Sequence, residues 1–231
     1  MINIITTYFI ALIMIMSINM VYAADPNPLQ DFCIALVNET HLPVAVNGFF
    51  CKRQKDVKST DFLFQGYNTP LNTNNRYGAA SRMINVFLFP AVNTLGIALG
   101  RIDFAPGGVN PIHYHPRSSE MFTVLHGTVF AGFVTSNLPG ENEVNKLYSA
   151  VLNEGDIFVF PQGLPHFQLN LGNKPAVANA AFGSQNPGRV DINRAVFGST
   201  PRIPDPVLLR SFQIDGNVLE ALRAQFSESR E

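Results

Sequence analysis

The sequence predicts an all-β protein: one jelly-roll barrel carrying short C-terminal helices. Three observations lead there. From about position 83 onward, Gly, Pro and Asn punctuate apolar segments every roughly eight to twelve residues, which favours a sandwich or barrel over βαβ units. Nineteen Phe, 17 Gly and 16 Pro suit many short strands joined by tight turns. Among 231 residues, 46 % are hydrophobic and only 14 % charged, enough for a large core with apolar surface left to bury against other subunits.

In chain order, residues 8–23 are almost wholly apolar and end in Val21-Tyr22-Ala23, the small-x-small form of a signal-peptidase site. Cleavage after Ala23 is expected, so that 1–23 is a signal peptide and 24–231 a single mature domain. A membrane anchor is the alternative, but the apolar run is short for a span and Asp25-Pro26-Asn27-Pro28 follows at once. Residues 26–47 read as an extended, turn-rich arm. They contain Asn38-Glu39-Thr40, the one N-x-S/T sequon and so a candidate glycosylation site at Asn38. Cys33 and Cys51 are the only cysteines. In a chain bound for the secretory path they are expected to pair, the alternative being two free thiols. Residues 61–75 read as a long surface loop that covers a pocket or a neighbouring subunit.

The barrel is expected over about 80–200. Strand-like stretches are 84–87, 96–104, 120–125, 128–134, 146–152, 156–160, 167–171 and 176–182, with many short strands around one buried site. The C-terminal helices are expected over about 205–227. Pro206 suits a first helical turn and Asp215 can cap a second helix. Val218, Leu219, Leu222 and Phe226 fall on one face at helical spacing, a stripe for the core or for another subunit. With a formal net charge of −1, no basic excess points to nucleic acid or an acidic membrane.

Chemistry concentrates between Gly107 and Asn170. His113 and His115 stand two apart, so on a strand both rings face the interior and Tyr114 faces away. Glu120 has the wrong parity for one unbroken strand. Pro116 is expected to interrupt pairing and reset the register. His166 follows Pro161-Gln162-Gly163-Leu164-Pro165, a stiff turn able to return a strand to the same pocket. A lone H-x-H is more often incidental, but with Glu120 and His166 the four make a ligand set for Mn, Fe, Ni, Cu or Zn. With a divalent ion such a set leaves a net charge of about +1, which favours a higher oxidation state. Six-coordinate Mn or Fe keeps about two open positions, whereas Zn tends to close at about four. His41 and His126 fit no ligand spacing and read as loop surface and turn.

These stretches resemble the plant germins and germin-like proteins of the cupin superfamily. The first motif, G-x5-H-x-H-x4-E-x6-G, is met by Gly107, His113, His115, Glu120 and Gly127. The second, G-x5-P-x-G-x2-H-x3-N, is met by Gly155, Pro161, Gly163, His166 and Asn170. Asp25-Pro26, the segment running up to Cys33, Val46-Asn47-Gly48, Asp61-Phe62-Leu63-Phe64 and Ser184-Gln185-Asn186-Pro187-Gly188 add to the likeness. The resemblance implies a cupin barrel and Mn(II) on His113, His115, Glu120 and His166. It also implies a Cys33–Cys51 bridge, a homohexamer formed as a trimer of dimers, and secretion to the apoplast or cell wall. Another divalent transition metal remains an alternative.

Three functions follow from it. The first is superoxide dismutation, which asks for little beyond the four ligands, with Asn110 able to orient a water. The second is oxidation of oxalate or another small organic substrate. Oxalate-oxidising members hold their substrate with two Asn side chains. One matches Asn110, but the other aligns with Gly100, which has no side chain. Tyr114, Met121 and Phe122 also depart from that pattern, and Phe122 is expected to alter the pocket lining. The third is non-catalytic: a ligand-binding, defence or structural wall protein braced by its metal.

Overall fold

A computed structural model describes residues 32–37, 48–137 and 144–226. The leader through Ala23, the sequon at Asn38 and His41 lie outside these residues. Among the described residues, ten strands build two five-stranded antiparallel sheets that face each other. One sheet has the order β1-β2-β9-β4-β7, with β1 (Ala79–Ile84), β2 (Ala98–Phe104), β4 (Glu120–His126), β7 (Ile157–Phe160) and β9 (Ala176–Phe182). The other has the order β10-β3-β8-β5-β6, with β3 (Val109–Tyr114), β5 (Val129–Val134), β6 (Leu147–Leu152), β8 (His166–Asn170) and β10 (Val190–Asp191). The expected all-β cupin-type barrel is the observed architecture.

Period-2 patterning fills the space between the sheets. Phe122 and Val124 of β4, Ala176, Ala178, Ala180 and Phe182 of β9, and Val129 and Ala131 of β5 are buried and form one cluster with Ile102, Phe104 and Phe160. Burying each Phe contributes about 1.5–3 kcal/mol. Small residues on β9 lie between the larger side chains of its neighbours β2 and β4. At Gly127, between β4 and β5, φ is +89° and a Cβ would stand 2.8 Å from that of Ala176. Only glycine satisfies both constraints.

Two expectations about strands are corrected. Residues 84–87 are not a strand; only Ile84 belongs to β1. Asn85 turns the chain instead: its Oδ1 accepts from the Phe87 N–H at 3.1 Å, and its carbonyl accepts from Leu88 and Phe89 at 3.0 and 2.7 Å. Pro116 does not reset the register within one strand. β3 and β4 belong to different sheets, so residues 115–119 carry the chain from one sheet to the other.

Residues 63–78 lie over the outer face of the first sheet, and Asn72, Asn74, Asn75, Arg76 and Tyr77 also line a groove beside it. Tyr67 Oη donates to the Gly100 carbonyl at 3.2 Å, and Leu71 N–H donates to Asp103 at 3.3 Å. In the N-terminal arm, Cys33 and Cys51 form a disulfide with Cα atoms 4.7 Å apart. Asn93, fully buried, fastens this arm to the barrel. Its Oδ1 accepts from Phe49 N–H at 3.1 Å, and its Nδ2 donates to the Phe49 carbonyl at 2.9 Å. Asn93→Ala strips the side-chain partners from two part-buried backbone groups of Phe49, at about 1–3 kcal/mol each. Denaturant unfolding is expected to show a loss of about 2–4 kcal/mol; a loss below about 0.5 kcal/mol would mean that the Ala35–Pro90 backbone bond and apolar contacts hold the arm without Asn93.

Three helices follow β10: α1 (Ile192–Phe197), α2 (Asp205–Phe212) and α3 (Gly216–Phe226). The sequence reading missed α1. Asp215 caps α3 as expected, its Oδ1 accepting from Asn217 and Val218 at 2.9 and 3.0 Å. The α3 stripe is only partly inward: Leu219 is buried, but Val218 is exposed. Arg223 is buried instead, held by Asp205 at 2.8 Å and Glu220 at 3.1 Å. No helix among the described residues is long and apolar enough to cross a membrane.

Candidate metal centre

Four side chains from three strands and one crossing segment meet at one end of the barrel. His113 lies near the end of β3, directly across from His166 at the start of β8. A bulge between Asn110 and His113, where Pro111 offers no N–H, sets their register. His115 follows β3 in the crossing segment, and Glu120 opens β4 in the opposite sheet. The crossing segment is pinned from two sides. Gly163 N–H donates to the His115 carbonyl at 3.0 Å, Gln162 Nε2 to the Pro116 carbonyl at 2.8 Å, and Arg117 N–H to the Pro187 carbonyl at 3.1 Å. Gly163, at φ +77°, gives the Pro161–Pro165 turn its sharpness.

One ligand atom from each of His113, His115, Glu120 and His166 lies within 4.8 Å of every other, and all four residues are buried. Glu120 Oε2 stands 3.1 Å from His115 Nε2 and 3.3 Å from His166 Nε2. The Nδ1 side of each ring faces a backbone carbonyl: Pro111 at 2.7 Å for His113, Leu164 at 2.9 Å for His166, and Gly188 for His115. A carbonyl only accepts, so each neutral ring carries its proton on Nδ1 and turns a bare Nε2 lone pair inward.

That tautomer leaves a cluster of acceptors with no donor among them. Glu120 Oε2 and His166 Nε2 are both buried without a hydrogen-bond partner. Such a constellation is costly unless a cation sits within it. Burial, with the positive field of Arg189, holds the His113 imidazole well below its ordinary 6.5, so it resists protonation that would remove its lone pair. Burial would raise Glu120, yet charged donors on His115 and His166 bring it below 4.5. Those donors require protons on Nε2, which neutral rings bonded through Nδ1 do not have. The geometry of the carbonyls decides this: the positive charge that Glu120 requires is better supplied by a metal ion. Three imidazoles and one carboxylate suit Mn, Fe, Ni, Cu or Zn.

A cavity of about 360 Å³ opens beside the cluster. Met83, Gly100, Ile102, Ala180 and Phe182 contribute its apolar wall; Asn110 and Arg189 stand on the polar side. Asn110 Nδ2 donates to Gln168 Oε1 at 2.6 Å, and its Oδ1 accepts from Arg189 Nη2 at 2.9 Å. Phe122 is fully buried in the barrel core and is not part of this wall, contrary to the expectation from sequence. Its parity places it two residues inward from Glu120 on the same face, below the site. His126 is exposed and pairs at 3.2 Å with Glu154, also exposed, as its turn reading implied. The sequence reading missed Gln168, Gly188 and Arg189. Gln168 was accessible through parity with His166; the other two arrive through the loop after β9, which has no periodic pattern.

Comparison with known proteins agrees with this geometry. The cupin family model matches residues 65–220. Germin-like protein 8-2 of Oryza sativa subsp. japonica is 52 % identical over 206 residues, covering 88 % of this chain and 90 % of that one. Germin-like protein subfamily 1 member 7 of Arabidopsis thaliana is 49 % identical over 219 residues, covering 95 % and 93 %. Among solved structures, oxalate oxidase in complex with the substrate analogue glycolate superposes with a TM-score of 0.81 at 40 % identity, covering 88 % of this chain and 98 % of that chain.

Proposed function

The chain belongs to the germin-like proteins of the cupin family, and from that premise we propose that it is a secreted manganese protein that dismutes superoxide. The observation that carries this reading is the buried cluster of bare acceptors on His113, His115, Glu120 and His166 beside a small cavity. These four residues would hold the ion. Manganese bound there supplies one-electron chemistry by cycling between +2 and +3, so that two superoxide ions and two protons become dioxygen and hydrogen peroxide. The chain's part is positional. Three backbone carbonyls fix the imidazoles, and Asn110 is held at both ends of its amide, so nothing need reorganise when a small substrate arrives.

Secretion after cleavage at Ala23, glycosylation at Asn38, residence in the apoplast or cell wall, and a single mature domain over 24–231 belong to the same proposal. So does the hexamer. Met121, Ile157 and Val159 on β4 and β7 are about half exposed, and adjoining apolar side chains of this kind are a common mark of a subunit interface. Metal analysis with a superoxide-consumption assay tests the activity. The expected result is about one manganese per chain and consumption well above that of free Mn(II); a metal-replete hexamer no faster than free Mn(II) would remove the reading.

A second reading, oxidation of oxalate, is favoured by the likeness to oxalate oxidase and weakened by Gly100. A Cβ at Gly100 would lie 3.4 Å from Ala180 Cβ and from a Phe182 ring carbon, and the residue has no positive φ, so β2 accepts a side chain there. Gly100→Asn adds an amide to the cavity wall. Peroxide formed from oxalate under air is expected to rise by tenfold or more, of the order of one charged hydrogen bond; no change would count against the missing-donor account.

A further inference from the structure

Three arginines contribute to the cavity beside the metal cluster: Arg82, Arg101 and Arg189. Two are committed elsewhere. Arg82 and Arg101 are register partners on β1 and β2, on the face opposite that of Met83 and Gly100. Arg82 donates to the Gly66 carbonyl at 2.7 Å. Arg101 forks Asp103 through Nε and Nη2, both at 2.7 Å.

Arg189 is placed differently. It follows Gly188, whose carbonyl anchors His115, and immediately precedes β10. Its Nη2 donates to Asn110 Oδ1 at 2.9 Å, and its Nε donates to Asp191 Oδ1 at 2.7 Å. Nη1 takes part in neither bond. Asp191 lines a neighbouring groove and not the metal cavity, so the counter-charge stands behind the cation as seen from the cavity. Meanwhile the other two groups expected to meet a substrate offer little. Gly100 has no side chain, and Asn110 is engaged at both ends of its amide.

We propose that Arg189 is the anion-recognition residue of this cavity, selecting small ions of single negative charge, superoxide or a monocarboxylate, and holding them beside the histidine–glutamate cluster. A dicarboxylate is disfavoured, since Gly100 supplies no side-chain donor to the cavity wall. The inference rests on the reading that the cluster holds a metal, but not on which reaction follows. Arg189 reaches its place through Asn110 and Asp191, so it acts on the substrate and not as a ligand of the ion.

The test titrates metal-loaded hexamer with azide and, separately, with acetate, reading the manganese spin signal and the heat of binding. In Arg189→Met, both affinities are expected to fall on the order of tenfold, and the salt dependence seen in the wild type should flatten. Arg189→Lys, which keeps the charge, should retain more of both affinities than Arg189→Met. Asp191→Asn removes the counter-charge and should tighten both anions, which keeps the test decisive if Arg189→Met loses its metal. Azide bound more tightly than acetate would mark a small inorganic anion as the ligand, and the reverse order a carboxylate. Equal affinities in wild type and Arg189→Met at equal metal content would overturn the inference, as would a wild type that binds neither anion. Superoxide consumption on the same samples separates the two readings. Wild type inert to superoxide, yet binding anions through Arg189, would sink dismutation alone. Activity beside unchanged anion binding in Arg189→Met would sink the anion site alone.

Discussion

His113→Ala is expected to lower metal affinity by more than about a hundredfold, since even partners that only orient a ligand are worth about ten- to a hundredfold. The physical reason lies in how the site is closed. His113 comes from β3 and pairs across to His166 on β8, while Glu120 comes from the opposite sheet. Removing one imidazole leaves an incomplete set whose remaining acceptors cannot move closer, because each ring is tied through Nδ1 to a carbonyl. Stability should fall with the metal. A ligand present at about a thousand times its dissociation constant contributes about 4 kcal/mol to the folded state. A strong chelator is therefore expected to lower the melting temperature of the wild type and leave that of His113→Ala unmoved. Elemental analysis of the purified variant and paired melts with and without chelator check both halves. A variant that kept its full metal complement would show that these four residues are not the ligand set.

Much of the barrel was legible because alternation is a local signal. Residues 176–182 and 120–125 read as strands from their sequence and are β9 and most of β4. The helices α2 and α3 were legible from Pro206 and Asp215 for the same reason. What failed was decided by pairing at long range. β10 has two residues and exists because it lies against His113 and Tyr114 of β3. α1 has six residues, too short to show a periodic face, and is held by Phe197 packing on Phe212 and Phe226. Residues 84–87 have the composition of a strand, but Asn85 supplies a competing local hydrogen bond.

The centre divides along the same line. His113, His115, Glu120 and His166 could be named because parity and turn chemistry constrain them, and Asn110 because the family resemblance pointed to it. The segment between His115 and Glu120 was read correctly as interrupted at Pro116, but a single sequence does not say that the chain changes sheets there. Gly188 closes a stretch that carried the family likeness, but that likeness gave neither it nor Arg189 a role, and only packing of the loop after β9 against the crossing segment brings them to the cavity. The part of the site that fixes ligand type was therefore readable, whereas the part that would choose a substrate depends on tertiary placement.

Phe160→Ala tests how tightly that tertiary placement binds the core to the metal centre. Phe160 is 1 % exposed and lies in register with Glu120 across the β4–β7 pair. Its ring stacks on His166 with centroids 4.4 Å apart and planes 14° from parallel, and it meets Phe122 at 6.0 Å. Truncating a buried Phe costs about 3–5 kcal/mol, which in a domain of this size lowers the melting temperature by roughly 6–20 °C. A second effect should appear at the metal. His166 keeps its Nδ1 bond to the Leu164 carbonyl but loses the surface that holds its plane, so affinity is expected to fall about ten- to a hundredfold. Phe122→Ala provides the comparison. It removes a ring of the same size from the same cluster, and among the described residues that ring stacks on none of the three imidazoles. It should destabilise the chain by a similar amount while moving metal affinity much less. If both variants lost metal in proportion to their loss of stability, the stack on His166 would carry no separate role, and the centre would be held by global folding alone.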